Sequence, residues 1–312
     1  VKIVLAGSGG LLGSNFLLTA QEMGHEVIAI IHERPIQSRD FVAVRADLSD
    51  RETAMRILRE HRPDWVVNCA ALTDVDFCER NPEDSDRINA RLPAYLAQAA
   101  EEVGAAIVQV SSDAVHDGKR GDYSESDVPA PLNRYAEAKL KGEAAALAEN
   151  TRCLALRTNM FGWNSNGKTN LAGWILASLE AGRPIQGFTD TLFNPLLVND
   201  LSTIILELMA GKATGLFNLG AADRLSKYDF ALALAGAFGL DKSLISPARQ
   251  AEITGRARRP LNTTLGTAKA ERALGRKMPT MREGIRRFRS LKEDPFLAQL
   301  KGLSIGATHA KN

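Results

Sequence analysis

Along the first half of the chain, short runs of β-branched and aliphatic residues alternate with longer stretches whose apolar positions follow helical spacing. That alternation predicts βαβ units and a parallel sheet. The expected strands are 2–6, 26–31, 41–45, 65–69, 106–111 and 152–157; the expected helices are 11–23, 51–61, 85–103 and 135–148. Gly24, Pro63 and Gly104 punctuate them. Such a set implies an α/β chain with a doubly wound parallel sheet, whose ligands gather at the carboxyl ends of the strands. After Arg157 the alternation fails. Residues 162–167, rich in Asn and Gly, read as a loop, 198–209 as a helix returning to the main domain, and 216–219 as a short strand. The expected division is a dinucleotide-type domain over 1–157, with a returning segment around 190–220, and a smaller C-terminal substrate-binding lobe over 158–312. Residues 305–312 read as a frayed tail.

Composition narrows the class. The chain has 312 residues, 45% hydrophobic and 24% charged, so disordered, collagen-like and disulfide-scaffold readings are excluded. A net charge of +2 gives no argument for nucleic acid or membrane as partners. The apolar stretch 230–240 falls well short of the ~20 residues a spanning helix needs. The amino-terminal strand running into a glycine turn does not read as a secretory leader, so the expected compartment is the cytoplasm. Cys69, Cys78 and Cys153 are odd in number and lack CxxC spacing, which suits small core hydrophobes in a reducing compartment. His25, His32, His61, His116 and His309 are scattered, so no metal site is expected. The distribution of charge is less bland than its sum. Between Arg256 and Lys292 twelve Lys/Arg face only Glu271 and Glu283, a local balance of +10 that leaves −8 for the rest. Two readings stand open: a solvated basic helix face, or a landing surface for phosphate groups.

Gly7-Ser8-Gly9-Gly10-Leu11-Leu12-Gly13 follows a strand and opens a helix. Its spacing allows a tight turn, close approach of backbone N–H groups to a pyrophosphate, and close helix–strand packing. A dinucleotide site is therefore expected there. The second strand ends Ile30-Ile31-His32-Glu33-Arg34, with Ile31 where an acidic residue commonly meets the NAD ribose. Arg34 is placed to meet a 2′-phosphate and Glu33 to serve a ribose, which favours NADP(H) and leaves NAD(H) possible. Asp47 and Leu48, after the third strand, suit contact with adenine.

Tyr135 and Lys139 are spaced i, i+4 at the start of a helix and share one face. A nearby ammonium is expected to lower the Tyr135 pKa from about 10, making it a usable acid for protonating an alkoxide. Ser111-Ser112-Asp113 ends the fifth strand, where a hydroxyl can hold a reacting carbonyl oxygen.

Taken in this order, the glycine turn, the strand-end serine and YxxxK resemble the extended short-chain dehydrogenase/reductases, which have the Rossmann fold. Further segments resemble the dTDP-4-dehydrorhamnose reductase group within them: Asn68 through Asp76, Val110 through Gly118, Tyr123-Ser124-Glu125, Pro131 through Lys139 with Gly142-Glu143, Leu156-Arg157-Thr158 and Arg259-Pro260-Leu261-Asn262. The resemblance implies NADPH- or NADH-dependent reduction of a 4-keto group on a nucleotide-linked deoxysugar. By it, Ser112, Tyr135 and Lys139 are catalytic, with Lys139 also binding the nicotinamide ribose. The implied cofactor contacts are Gly7, Gly9, Gly10, Leu11, Leu12, Gly13, His32, Arg34, Asp47, Leu48, Cys69, Ala70, Ala71 and Ser111, together with Tyr135 and Lys139. The implied substrate contacts are Thr73, Ser112, Asp113, Met160, Asn170, Arg256 and Arg259, with Arg256, Arg258 and Arg259 assigned to the diphosphate.

Four positions depart from the group's pattern. Ala114 stands where it has Tyr, His116 where it has Phe, Ala136 where it has Gly, and Met160 where a Trp commonly lines the sugar pocket. The lost aromatics predict a reshaped sugar pocket around the same catalytic groups. Two other functions fit the pattern: a non-catalytic NADP-binding subunit resembling the β subunit of methionine adenosyltransferase, and a nucleotide-sugar epimerase with retained NAD. The expected partner is a nucleotide-diphosphate sugar, with a homodimer possible.

Overall fold

A computed structural model of the chain describes residues 1–32, 36, 41–165, 170–252 and 255–305. In chain order the principal sheet uses β1 (Lys2–Ala6), β2 (Glu26–Ile31), β3 (Val42–Arg45), β4 (Trp65–Asn68), β5 (Ala106–Val110) and β6 (Cys153–Thr158). The smaller strands β7 (Met160–Phe161), β8 (Ile185–Phe188), β9 (Leu192–Phe193) and β10 (Leu196–Leu197) follow, then β11 (Gly215–Leu219), β12 (Leu225–Ser226) and β13 (Ile245–Ala248). The main sheet has seven strands in the order β11-β6-β5-β4-β1-β2-β3, every pair parallel. Along β1, Ile3 and Leu5 join one hydrophobic cluster while Val4 and Ala6 join the other, on the opposite face. Apart from the exposed edge strand β3, the sheet is covered on both faces and has no polar side, which is why its inner strands read as continuous apolar runs. The seventh strand, β11, comes from the returning segment and extends the sheet beyond β6.

The helices covering the sheet are α1 (Leu11–Glu22), α2 (Arg51–His61), α3 (Val75–Arg80), α4 (Pro82–Asp86), α5 (Leu92–Val103) and α6 (Arg134–Glu149). The remainder are α7 (Leu171–Glu180), α8 (Val198–Ala210), α9 (Lys227–Phe238), α10 (Ala268–Leu274), α11 (Met281–Ser290) and α12 (Pro295–Ile305). Helix α8 packs beside α1, so the returning helix covers the same sheet face. The single helix expected over 85–103 is instead α4, a π-helical turn (Arg87–Arg91) and α5. Pro93 has no N–H for the carbonyl of Asn89, and the helical ladder widens just before it. That turn positions Asn89, whose amide accepts from Leu72 N at 3.0 Å and donates to Leu72 O at 3.0 Å. The connection after β4 is pinned in this way.

Strand pairs β7–β10, β8–β13 and β9–β12 lie outside the main sheet. Phe161 meets Phe230 and Phe288 edge-on at 5.2 and 5.6 Å, and Phe193 meets Phe230 at 5.3 Å. Each such pair contributes about 0.5–1.5 kcal/mol beyond its buried area. The basic segment lies mostly on α10, α11 and their flanks, where it meets the acidic body. Arg276 pairs with Glu207, Arg287 with Asp200, and Lys292 with Glu180. Much of the charge asymmetry is thus absorbed as contacts between elements. Among the described residues, no helix is long and apolar enough to cross a membrane.

Candidate active site

At the carboxyl edge of β1 the chain turns at Gly7, whose φ of +74° favours glycine. A Cβ on Gly7 would lie 2.6 Å from the Ala70 nitrogen beyond β4, and one on Gly13 would lie 2.2 Å from the Gly7 carbonyl oxygen. The first glycine therefore admits the neighbouring strand end, and the third lets α1 pack against the turn. Gly10 N donates to Gly7 O at 3.0 Å, and Ser8 Oγ donates to Ile30 O at 2.7 Å, tying the turn to β2. Gly10 is the N-cap of α1 and supplies no side-chain cap. The first turn thus presents backbone N–H groups and a positive dipole end, the complement of a pyrophosphate.

Across the sheet, the Asn133 side chain accepts from Ala136 N at 2.9 Å and caps α6. This cap places Tyr135 in the first turn and Lys139 one turn later. Lys139 Nζ donates to Val110 O at 2.6 Å, and burial pulls its ammonium down to about 8. Ser112 Oγ accepts from Ala114 N at 3.1 Å, donates to Asp113 Oδ1 at 3.2 Å, and lies against the Tyr135 phenol. The Tyr135 ring borders the cleft but is surrounded mainly by protein, and desolvation pushes its phenol up to about 12. The expected lowering by Lys139 is therefore overturned. Desolvation outweighs the Ser112 hydrogen bond, and the Lys139 ammonium is spent on the Val110 carbonyl. A phenol held at that value keeps its proton at neutral pH, which suits a proton donor.

One cleft of about 870 Å³ joins these groups, running from the glycine turn past Tyr135 into the C-terminal lobe. Its volume lies in the ordinary range of small-molecule sites. Gly7, Gly9, Gly10, Leu11 and Leu12 line one wall, with Cys69, Ala70, Ala71 and Ser111 beside them. Among the described residues, the buried Ser111 Oγ has no hydrogen-bond partner. Gly13 lies beneath the turn, outside the lining. At the far end stand His32, Asp47 and Leu48; Asp47 accepts from Ser49 N and Oγ at 2.9 and 2.7 Å. Glu33 and Arg34, on which the NADP preference rests, lie outside the described residues.

On the other side, Thr73, Asp113, Met160, Asn170 and Arg259 line the cleft. Burial raises the Asp113 carboxyl above its usual range, against hydrogen bonds from Thr263, Asn159 and Ser112. The Asn170 side chain is already committed, capping α7 and donating to Gly162 O at 2.7 Å. Arg259 is bidentate to Asp76 at 2.7 and 3.3 Å, so it latches the lobe to the connection after β4. Arg256 and Arg258 are absent from the cleft lining; with Arg259 they line an adjoining cavity of about 660 Å³. The three arginines assigned to the diphosphate are thus neutralised or displaced. His116 is not at the sugar end either. It is fully buried, stacked on Tyr123 at 4.0 Å with Nε2 3.3 Å from Arg157 Nη1. Ala114 and Met160 do line the cleft, so those two lost aromatics fall where a reshaped pocket requires.

Sequence reasoning missed Thr191, Phe193, Lys227 and Thr263, and it missed Arg87 at the end near His32 and Asp47. None sits in a contiguous motif with the catalytic groups. Lys227 did carry one signal: a cation directly after the Ser226 cap, where the helix dipole disfavours it.

The RmlD substrate binding domain model matches residues 1–292. The chain is 33% identical to a probable low-salt glycan biosynthesis reductase of Haloferax volcanii, over 90% of this chain and 95% of that protein. It is 31% identical to the dTDP-4-dehydrorhamnose reductase of Mycobacterium tuberculosis, over 81% and 80% of the two chains. The methionine adenosyltransferase 2 subunit beta of Mus musculus is 28% identical, over 91% and 86%. Among solved structures, a dTDP-4-dehydrorhamnose reductase from Clostridium acetobutylicum superposes with a TM-score of 0.84 at 26% identity, covering 94% of this chain and all of that one. With this glycine turn, strand-end serine and YxxxK helix around one cleft, the chain belongs to the RmlD substrate binding domain family, within the extended short-chain dehydrogenase/reductases.

Proposed function

We propose that the protein is an NADPH-dependent reductase of the 4-keto group of a nucleotide-linked deoxysugar. The observation that carries this reading is the convergence of Ser112, Tyr135 and Lys139 with the glycine turn around one cleft. The names of the Haloferax and Mycobacterium relatives support it. A cradle that a Cβ at Gly7 would fill, an uncapped helix end and the orphaned Ser111 hydroxyl fit a bound dinucleotide.

When bound, the nicotinamide cofactor supplies a hydride to the ketone carbon. Tyr135 donates its phenolic proton to the carbonyl oxygen, so one C–H and one O–H bond form as the C=O π bond is lost. The Ser112 hydroxyl holds that oxygen. Lys139, held by Val110 O one helical turn from Tyr135, is placed to bind the nicotinamide ribose, and the phenol keeps the proton that it donates. The assignment of NADP(H), with NAD(H) possible, rests on Arg34.

Tyr135→Phe tests the reading. NADPH oxidation with a dTDP- or GDP-4-keto-6-deoxysugar should fall about a hundred- to ten-thousand-fold, while cofactor affinity persists. A second reading, a non-catalytic NADP-binding subunit, is favoured by the similarity to the methionine adenosyltransferase subunit. Absence of turnover across a panel of such sugars, with tight NADP binding and co-purification of another enzyme, would replace the first reading with the second.

A further inference from the structure

Lys227 is the first residue of α9, and its side chain enters the cleft from the lobe. Three costs fall on it together. Burial depresses its ammonium, Arg259 and Arg256 repel it, and it sits at the positive end of a helix dipole. Yet among the described residues its ammonium makes no hydrogen bond or close ion pair; the Phe188 ring lies 6.0 Å away, and Asp190, which also attracts it, is bonded to Gln250 N and Ala251 N. Asp113 attracts it from across the cleft, but that carboxylate is already engaged by Asn159, Ser112 and Thr263. Beside Lys227 stands a second unsatisfied group. Thr191, whose carbonyl accepts the Lys227 backbone N–H at 3.0 Å, is only 3% exposed, lines the cleft, and has no partner for Oγ1 among the described residues. A half-buried cation and a buried hydroxyl, adjacent and both without a hydrogen-bond partner among the described residues, describe a seat for an oxyanion.

The position within the cleft identifies the oxyanion. Ser112 and Tyr135 mark the reacting carbon, and Asp113 directly follows Ser112. Lys227 faces Asp113 from the far wall, away from the glycine turn that serves the dinucleotide. A hexose reacting at C4 turns its anomeric end away from the tyrosine, toward this wall.

We propose that Lys227 and Thr191 seat the sugar-proximal phosphate of a nucleoside diphosphate sugar. This rests on the reductase reading for its substrate class, and it moves the diphosphate from the arginine cluster to a lysine outside every motif.

The test is calorimetric binding of dTDP and UDP to the NADP-loaded protein, with dTMP and UMP as monophosphate probes. Lys227→Met should weaken the diphosphates about tenfold or more, and Thr191→Val by a smaller factor. Neither should alter NADP affinity, which also certifies that the variants fold. Monophosphates should bind the wild type and Lys227→Met alike, because they lack the second phosphate. Diphosphate affinity unchanged in Lys227→Met, equal losses for monophosphate and diphosphate, or no diphosphate binding by the wild type would each overturn the proposal. Loss of diphosphate binding in Lys227→Met, in a protein that turns over no ketosugar, would uphold the seat and remove only the reductase.

Discussion

Arg157 and Lys227 are both drawn out of solvent by the fold, one behind the cleft and one inside it, and they are partnered in opposite ways. Arg157 gives Nε and Nη2 to the two Glu143 oxygens at 3.0 and 2.6 Å, with both side chains almost fully buried. Its Nη1 meets His116. Glu143 lies one helical turn beyond Lys139 on α6, so this pair fastens the helix that carries Tyr135 and Lys139 to β6. Among the described residues the Lys227 ammonium has no such hydrogen-bonded carboxylate, only the more distant attraction of Asp113 and Asp190. A buried charge with every hydrogen bond satisfied holds architecture, whereas one left open in a cleft is disposed toward a ligand.

The comparison is broken or sharpened first by removing each charge in turn. Arg157→Met leaves the Glu143 carboxylate buried and alone, and should destabilise the protein by about 3–5 kcal/mol in urea denaturation. The double variant Arg157→Met/Glu143→Leu should recover most of that loss. Lys227→Met, which removes an unpaired cation and keeps the apolar stem, should leave the urea midpoint unchanged or raise it. If Lys227→Met instead costs as much as Arg157→Met, Lys227 has a structural partner and the contrast collapses.

This difference also explains what the sequence revealed. The dinucleotide half of the cleft depends on residues close in the chain, from Gly7 to Gly13 and from Asn133 to Lys139. Local spacing reports such geometry directly. The half of the cleft proposed for the substrate is lined by Thr191, Lys227, Arg259 and Thr263, brought together only by the lobe's tertiary folding, and no local period encodes that. Arg259 and Asn262 show the converse. They carry the family resemblance, yet Arg259 latches onto Asp76 and Asn262 onto the Arg120 and Gly118 backbone. Tyr135 shows a third limit, since the desolvation that sets its proton affinity is a property of the packed cleft. The strands were legible because both sheet faces are covered. The 85–103 helix was misread because the effect of Pro93 on its ladder depends on what packs against it.

His116 supplies the next contrast, with a pH signature. Arg157 can only donate, so His116 Nε2 accepts and the ring is neutral, with its proton on Nδ1. Burial, reinforced by the Arg157 charge, lowers its pKa to about 4. The unfolded ring titrates near 6.5, so its contribution to stability is complete above that pH and is lost as pH falls toward 4. Between pH 7 and pH 5 the loss should be about 2 kcal/mol. His116→Phe keeps a ring to stack on Tyr123 and should remove that component. The check is the difference in unfolding free energy between the two pH values, wild type against variant. An identical acid loss in both would mean that His116 is already charged in the native state.

The smallest effects should come from the basic segment, although it dominates the charge pattern of the sequence. Arg276 meets Glu207 at 2.6 Å and Arg287 meets Asp200, each arginine side chain more than two-fifths exposed. An exposed pair such as Arg276–Glu207 contributes about 0–1 kcal/mol and weakens further with salt. Arg276→Ala should therefore shift stability within that range, and Arg287→Ala by more, because it leaves the largely buried Asp200 carboxylate without its arginine; neither should alter nucleoside diphosphate affinity, because neither residue borders the cleft. A tenfold loss of diphosphate affinity in either variant would restore the segment as a phosphate-landing surface. It would also mean that long-range charge, rather than the unpaired lysine inside the cleft, draws the substrate in. The expectation here is the opposite, since a charge already paired with a carboxylate has little field left to offer a ligand at a distance.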